Sequence, residues 1–139
     1  RAEGAQIATG GKQIHPQGFE NGYFMEPTIL TNCTDSMRVT REEIFGPVMS
    51  VLIFDDEQDA IERANSTEFG LGAGVMTTDL SRAHRVADAL ISGNVWVNSR
   101  NILPPSLPFG GAKHPGFGRE NSIYTLDAYS EVKSVHITL

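Results

Sequence analysis

The segment Glu42-Glu43-Ile44-Phe45-Gly46-Pro47 concentrates more side-chain chemistry than any other short stretch of the chain. A carboxylate accepts hydrogen bonds at both oxygens, which suits the neighbouring hydroxyls of a ribose. Phe45 follows Glu43 closely and offers a flat apolar face to a nicotinamide or its ribose. A plainer reading is also open: a surface charge pair running into a turn fixed by Gly46-Pro47. On residue types alone the plainer reading is the stronger one. A second concentration is Leu107-Pro108-Phe109-Gly110-Gly111, followed by Gly116-Phe117-Gly118-Arg119-Glu120. Small residues let a backbone approach a ligand or another chain closely, and Phe109 can wall an apolar substrate channel. Equally open is a structural loop clamped by Arg119 and Glu120.

Complete catalytic sets are missing. His15, His84, His114 and His136 do not stand at metal-ligand spacing and no Cys–His cluster exists, so no metal is expected. Neither a phosphate-binding Gly-Lys-Ser/Thr loop nor a Gly-x-Ser-x-Gly elbow occurs. Gly70-Leu71-Gly72-Ala73-Gly74 mimics a dinucleotide fingerprint, but its glycines fall at the wrong offset and it precedes a strand. Cys33 lies in an extended polar stretch with Thr31, Asn32 and Thr34, where nothing lowers a thiol pKa, so it reads as a structural thiol.

The elements that must carry these motifs follow from periodicity. Turn formers crowd residues 4–34, with short strands expected at Tyr23-Phe24-Met25 and Thr28-Ile29-Leu30. Residues 48–54 read as a strand buried on both faces, and a helix follows from Glu57 to Glu68. A strand over 73–78, a helix capped by Thr78 or Asp79, and a strand over 94–98 complete an alternating order. The expected class is therefore α/β, a mostly parallel sheet with flanking helices. Residues 99–122 form a long irregular loop, of the kind that is usually functional or disordered. Tyr124 to Tyr129 reads as a short helix. Val135, Ile137 and Leu139 alternate with polar residues as in a half-exposed strand that must pair elsewhere.

Composition narrows the partners. The 139 residues are 40% hydrophobic and 20% charged, as in ordinary globular domains. Net charge is −6 and no basic footprint is visible, which argues against nucleic acid. No apolar run approaches the length needed to span a bilayer, so no membrane partner is expected. The single cysteine excludes an internal disulfide and suits a reducing, cytoplasmic setting. Arg1 through Ala5 reads like the end of a helix with Gly4 near its C-terminus, so the chain is expected to begin inside a larger protein.

At these motifs the chain resembles the NAD(P)-dependent aldehyde dehydrogenase superfamily. Residues 42–47 match its EEIFGP motif letter for letter, and Asn65 through Ala73 resemble its AN-x-T-x-YGLAA segment. Gly93 through Asn98, Pro108 through Gly111, Gly116 through Glu120 and Tyr129 through Lys133 follow in the family's order. The resemblance covers essentially the whole chain. It implies a catalytic-domain fragment over residues 1–128 and an oligomerisation strand over residues 129–139 that builds a homo-oligomer. It implies that Glu43 holds the nicotinamide ribose and Phe45 contacts the nicotinamide side of NAD or NADP. Phe109 would line the aldehyde tunnel with Asn101 and Leu103 near it, and Asn98 and Gly110 would shape the surrounding loop.

The family's thiolate nucleophile, its general-base Glu and its phosphate-binding turn all lie upstream of the residue 42–47 motif. The resemblance therefore places no catalytic residue in this chain and implies weak or no cofactor binding by it alone. A shortened, non-catalytic interaction or structural module is the competing reading. Residues 99–107 lack the aromatics that many family members carry there, and Arg100 points toward an aldehyde with an acidic or polar end. A quaternary-ammonium cage wants aromatics and only Phe109 and Phe117 are at hand, so betaine aldehyde ranks below a generic aldehyde. Aldehyde and NAD+ added to the purified chain should give no rise in reduced-cofactor absorbance; clear turnover contradicts this assignment.

Overall fold

Residues 1–34 hold four short strands, twice the number expected from sequence. In the computed structural model, which describes residues 1–114 and 116–139, these are β1 (Gln6–Thr9), β2 (Gln13–Ile14), β3 (Phe24–Met25) and β4 (Thr28–Thr31). The reading missed β1 and β2 because glycines and polar residues dominate there and neither strand buries an apolar face. After them come α1 (Arg38–Arg41) and β5 (Val48–Ser50). β4 pairs antiparallel with β1 and parallel with β5, while β2 and β3 form a separate antiparallel ribbon.

These elements make one compact unit, Arg1–Asp56. Its core is small: Ala5, Cys33 and Met37 are buried, with Leu30, Val39 and Leu52 packed against them. The Cys33 thiol thus fills an apolar core, in keeping with a structural role. Thr28 is buried and fully used, accepting from the Gly11 N–H and donating to the Glu26 carbonyl. The strand expected over 48–54 stops at Ser50. The last ladder bond runs from the Val51 N–H to the Leu30 carbonyl, and β4 ends at Thr31, just before Asn32, whose φ is 55°. Met49 is 53% exposed, Ile53 84% and Phe54 59%, so the expectation of a strand covered on both faces does not hold in this chain.

The second unit, Glu57–Leu139, contains α2 (Glu57–Asn65), β6 (Gly72–Val75), α3 (Leu80–Ala89), β7 (Asn94–Val97) and α4 (Tyr124–Ala128). β6 and β7 pair in parallel with α3 between them, the expected βαβ unit. Asp79 caps α3 by accepting from the Arg82 N–H, and Ala83 and Val86 form its buried face. α2 ends at Asn65, short of the expected Glu68. The Ser66 hydroxyl donates to the Arg63 carbonyl, and the Asn65 side chain is drawn to Ala89 and Ile91.

The α/β class stands, with its parallel pairing at β4–β5 and β6–β7. The other pairings are antiparallel, and the strands form three small sheets in place of one. After α4 the chain has no regular element. Val135, Ile137 and Leu139 are exposed and have no partner strand among the described residues. No helix among the described residues is long and apolar enough to cross a membrane.

Glu57 joins the two longer helices. Its carboxylate takes Arg82 Nε at 2.9 Å, Arg85 Nε at 2.6 Å and Arg85 Nη2 at 2.9 Å. The Arg85 hydrogen bonds, ahead of those from Arg82, lower its pKa from 4.5 to about 2. A carboxylate held below its ordinary pKa stabilises the fold above that ordinary value and loses this contribution as pH falls through the lowered one. A Glu57→Gln variant should therefore unfold at lower denaturant than the parent near neutral pH. That gap should close as pH falls from 4.5 toward about 2, followed by urea titration at several pH values. A gap independent of pH would contradict the ion pair's role.

Candidate functional site

The residue 42–47 motif starts where α1 stops. Glu42 leaves the helix with φ −93° and ψ 144°, its N–H donating back to the Arg38 carbonyl at 3.0 Å. Its carboxylate accepts from Arg38 Nε at 2.7 Å, which lowers the Glu42 pKa and raises that of Arg38. Arg38 is further held by its own N–H, which donates to Glu3 Oε2 at 2.7 Å. Glu42 is thus occupied by a partner of its own chain, at the surface.

Glu43 differs. It is exposed, and its carboxylate has no hydrogen-bond partner among the described residues. The chain then turns tightly: the Gly46 N–H donates to the Ile44 carbonyl at 2.9 Å, leaving Phe45 at the apex and 94% exposed. The Pro47 carbonyl accepts from the Thr28 N–H at 2.8 Å, tying this turn to β4 as β5 begins. Glu43 and Phe45 line one open depression of about 500 Å³ with Met37, Arg38, Val39 and the paired Glu42. A free carboxylate and a bare aromatic on a fixed turn can bind a hydroxylated ligand that has a flat ring.

The remaining predicted residues lie in the second unit, on the segment between β7 and α4. Asn98 follows β7 with φ 52° and clasps Thr77 twice, accepting from its N–H and donating to its carbonyl, both at 2.8 Å. Asn101 and Leu103 follow and are exposed. Phe109 is half-buried and pairs its backbone with Glu120 in an isolated antiparallel bridge, with bonds of 2.7 and 2.8 Å. Arg119 Nη1 donates to the carbonyls of Gly111 and Gly118, so Arg119 and Glu120 do clamp this loop. The structural and functional readings of the motif are therefore compatible.

Glycine makes this packing possible. A Cβ on Gly93 would run into the Gly110 carbonyl, and one on Gly70 would meet the Ala112 carbonyl at 2.7 Å. Asn94 Nδ2 donates to the carbonyls of Leu71 and Gly110, both at 2.9 Å. Lys113 Nζ closes the last turn of α2 by donating to Asn65 at 2.8 Å and Thr67 at 2.9 Å. Sequence reasoning missed Lys113 as an anchor. It also missed Trp96, whose Nε1–H donates to the Ile102 carbonyl at 3.0 Å. The available signal for Trp96 was its place on a strand beside glycine-rich β6.

The chain belongs to the aldehyde dehydrogenase family, whose profile matches residues 1–135. It is 55% identical over 99% of its length to a betaine aldehyde dehydrogenase of Mesorhizobium japonicum. It is 54% identical over its full length to the betaine aldehyde dehydrogenase of Brucella anthropi. It spans 28% of the length of each. Among solved structures, an indole-3-acetaldehyde dehydrogenase of P. syringae in complex with NAD+ and IAA superposes with a TM-score of 0.91. The identity is 47%, covering 99% of this chain and 28% of that one. The Staphylococcus aureus betaine aldehyde dehydrogenase in complex with NAD+ gives a TM-score of 0.88 at 44% identity, covering 92% of this chain and 25% of that one.

Proposed function

We propose that this chain is the C-terminal part of a protein that oxidises an aldehyde to a carboxylic acid with NAD+. Residues 1–128 then belong to its catalytic domain and 129–139 to a strand that pairs between subunits. The observation that carries the cofactor assignment is the contrast between the two adjacent acids. Both acids line the depression with exposed Phe45, but Arg38 occupies Glu42, whereas Glu43 has no partner among the described residues.

In this reading, Glu43 accepts from the two hydroxyls of the nicotinamide ribose and Phe45 packs beside the nicotinamide. Bound NAD+ supplies the hydride acceptor; aldehyde, water and NAD+ give acid, NADH and a proton. Asn101, Leu103 and Phe109 line the aldehyde's approach, and the glycine packing fixes the backbone around Phe109. The nucleophile and general base are assigned outside these residues, so no step of the chemistry is placed on Cys33. NAD+ is favoured over NADP because the similar solved structures are NAD+ complexes.

The names of the similar curated proteins favour betaine aldehyde above the order that residues 99–107 alone gave. The exposed alternation of Val135, Ile137 and Leu139 supports a homo-oligomer. It equally fits a non-catalytic module that only co-assembles with a relative.

In the whole protein, Glu43→Ala should raise KM for NAD+ by roughly ten- to hundredfold. That corresponds to losing about 1.5–3 kcal/mol of hydrogen bonding to a charged group. Glu42→Ala should leave KM for NAD+ nearly unchanged. The reverse pattern, measured by steady-state kinetics with NAD+ varied, would remove Glu43 from the cofactor site.

A further inference from the structure

We infer that Trp96 is a positioning residue for the aldehyde-lining loop, acting through the single hydrogen bond from its indole to the Ile102 carbonyl. The inference rests on the reading above that Asn101 and Leu103 flank the aldehyde's path.

The geometry has three parts. Trp96 lies on β7 opposite Gly74 of β6, and its indole reaches across to Gly72. A Cβ on Gly72 would come within 2.7 Å of Trp96 Cζ3, so the ring occupies the place of the missing side chain. From there Nε1–H meets the Ile102 carbonyl at 3.0 Å. Asn101, with φ 54°, reverses the backbone just before Ile102, a conformation asparagine tolerates better than most residues. Ile102 and Leu103 themselves are exposed, at 61% and 44%, so apolar packing does little to hold them.

Any half-buried tryptophan tends to find an acceptor for its N–H. Here the acceptor matters because of what else holds the loop. The Asn98 clasp on Thr77 fixes the loop's start, and Ser122 N–H to Pro105 carbonyl, 2.9 Å, fixes it further on. Between Ser99 and Leu103, the Trp96 bond is the one hydrogen bond to the rest of the unit among the described residues. The same carbonyl sits between Asn101 and Leu103, so one bond sets the position of both.

The test compares Trp96→Phe, which keeps a ring and deletes the donor, with Gly72→Ala, which displaces the ring and keeps the donor. Both are made in the whole protein. Each should raise KM for the aldehyde by about three- to tenfold, the loss of one hydrogen bond, and leave KM for NAD+ within about twofold. Because both act on one bond, the double variant should be no worse than the poorer single variant. Amide hydrogen exchange over residues 99–103 should quicken in both variants, with the β6–β7 strands unchanged. Equal rises in both KM values, additive effects, or unchanged exchange in the loop would each overturn the inference. If the parent protein oxidises no aldehyde, the function proposed above fails by itself. Hydrogen exchange then still decides whether Trp96 anchors the loop.

Discussion

The Gly70 carbonyl is where three stretches of the second unit's backbone meet. It accepts from the Gly93 N–H and the Ala112 N–H, both at 2.9 Å, and from the Ser92 hydroxyl at 3.4 Å. This joins the start of β6, the start of β7 and the loop carrying Phe109 at a single atom. The approach is so close that side chains are excluded, which is why Gly70, Gly93 and Gly110 stand where they do. Asparagine side chains extend the same network: Asn94 bonds to Leu71 and Gly110, and Asn65 to Ala89 and Ile91. A loop with this many glycines would otherwise lose too much conformational freedom on ordering to hold one shape. Its backbone bonds to strands and helices make up that loss, and Phe109, proposed to meet an aldehyde, inherits a fixed frame.

The first unit works by a different economy of charge. Two acids adjoin, yet only one is free. The helical turn of α1 brings Arg38 within reach of Glu42, four residues on, and the Glu3 carboxylate accepts from the Arg38 N–H. Glu43, one position later, falls past the helix end and its side chain is left to solvent. The Gly46-Pro47 turn then fixes Phe45 beside it through the bond to Thr28. Surface ion pairs contribute little to stability. The pairing of Arg38 with Glu42 matters here because it sorts two otherwise equivalent carboxylates into a structural one and an available one.

The sequence made the βαβ unit of β6, α3 and β7 legible because its apolar positions repeat at helical spacing and Asp79 announces the cap. The α/β class and the motif-bearing loops were legible for similar reasons. Three things were not. β1 and β2 are short and exposed, so no alternation marks them. The early end of β5 is set by its partner β4 turning away at Asn32, a tertiary event with no local signal. The sorting of Glu42 from Glu43 depends on α1, a four-residue helix with no buried residue, which no apolar periodicity in the sequence announces. Trp96 illustrates the same limit: its strand was evident, but its hold on Ile102 emerges only when Gly72 leaves room for the ring.

The most direct test of the cofactor assignment is a crystal structure of the whole protein with NAD+ bound. The account predicts the Glu43 carboxylate within hydrogen-bond distance of both nicotinamide-ribose hydroxyls, Phe45 against the nicotinamide side, and Glu42 still paired with Arg38. A ribose held by Glu42, or a Glu43 carboxylate still turned to solvent, would contradict it.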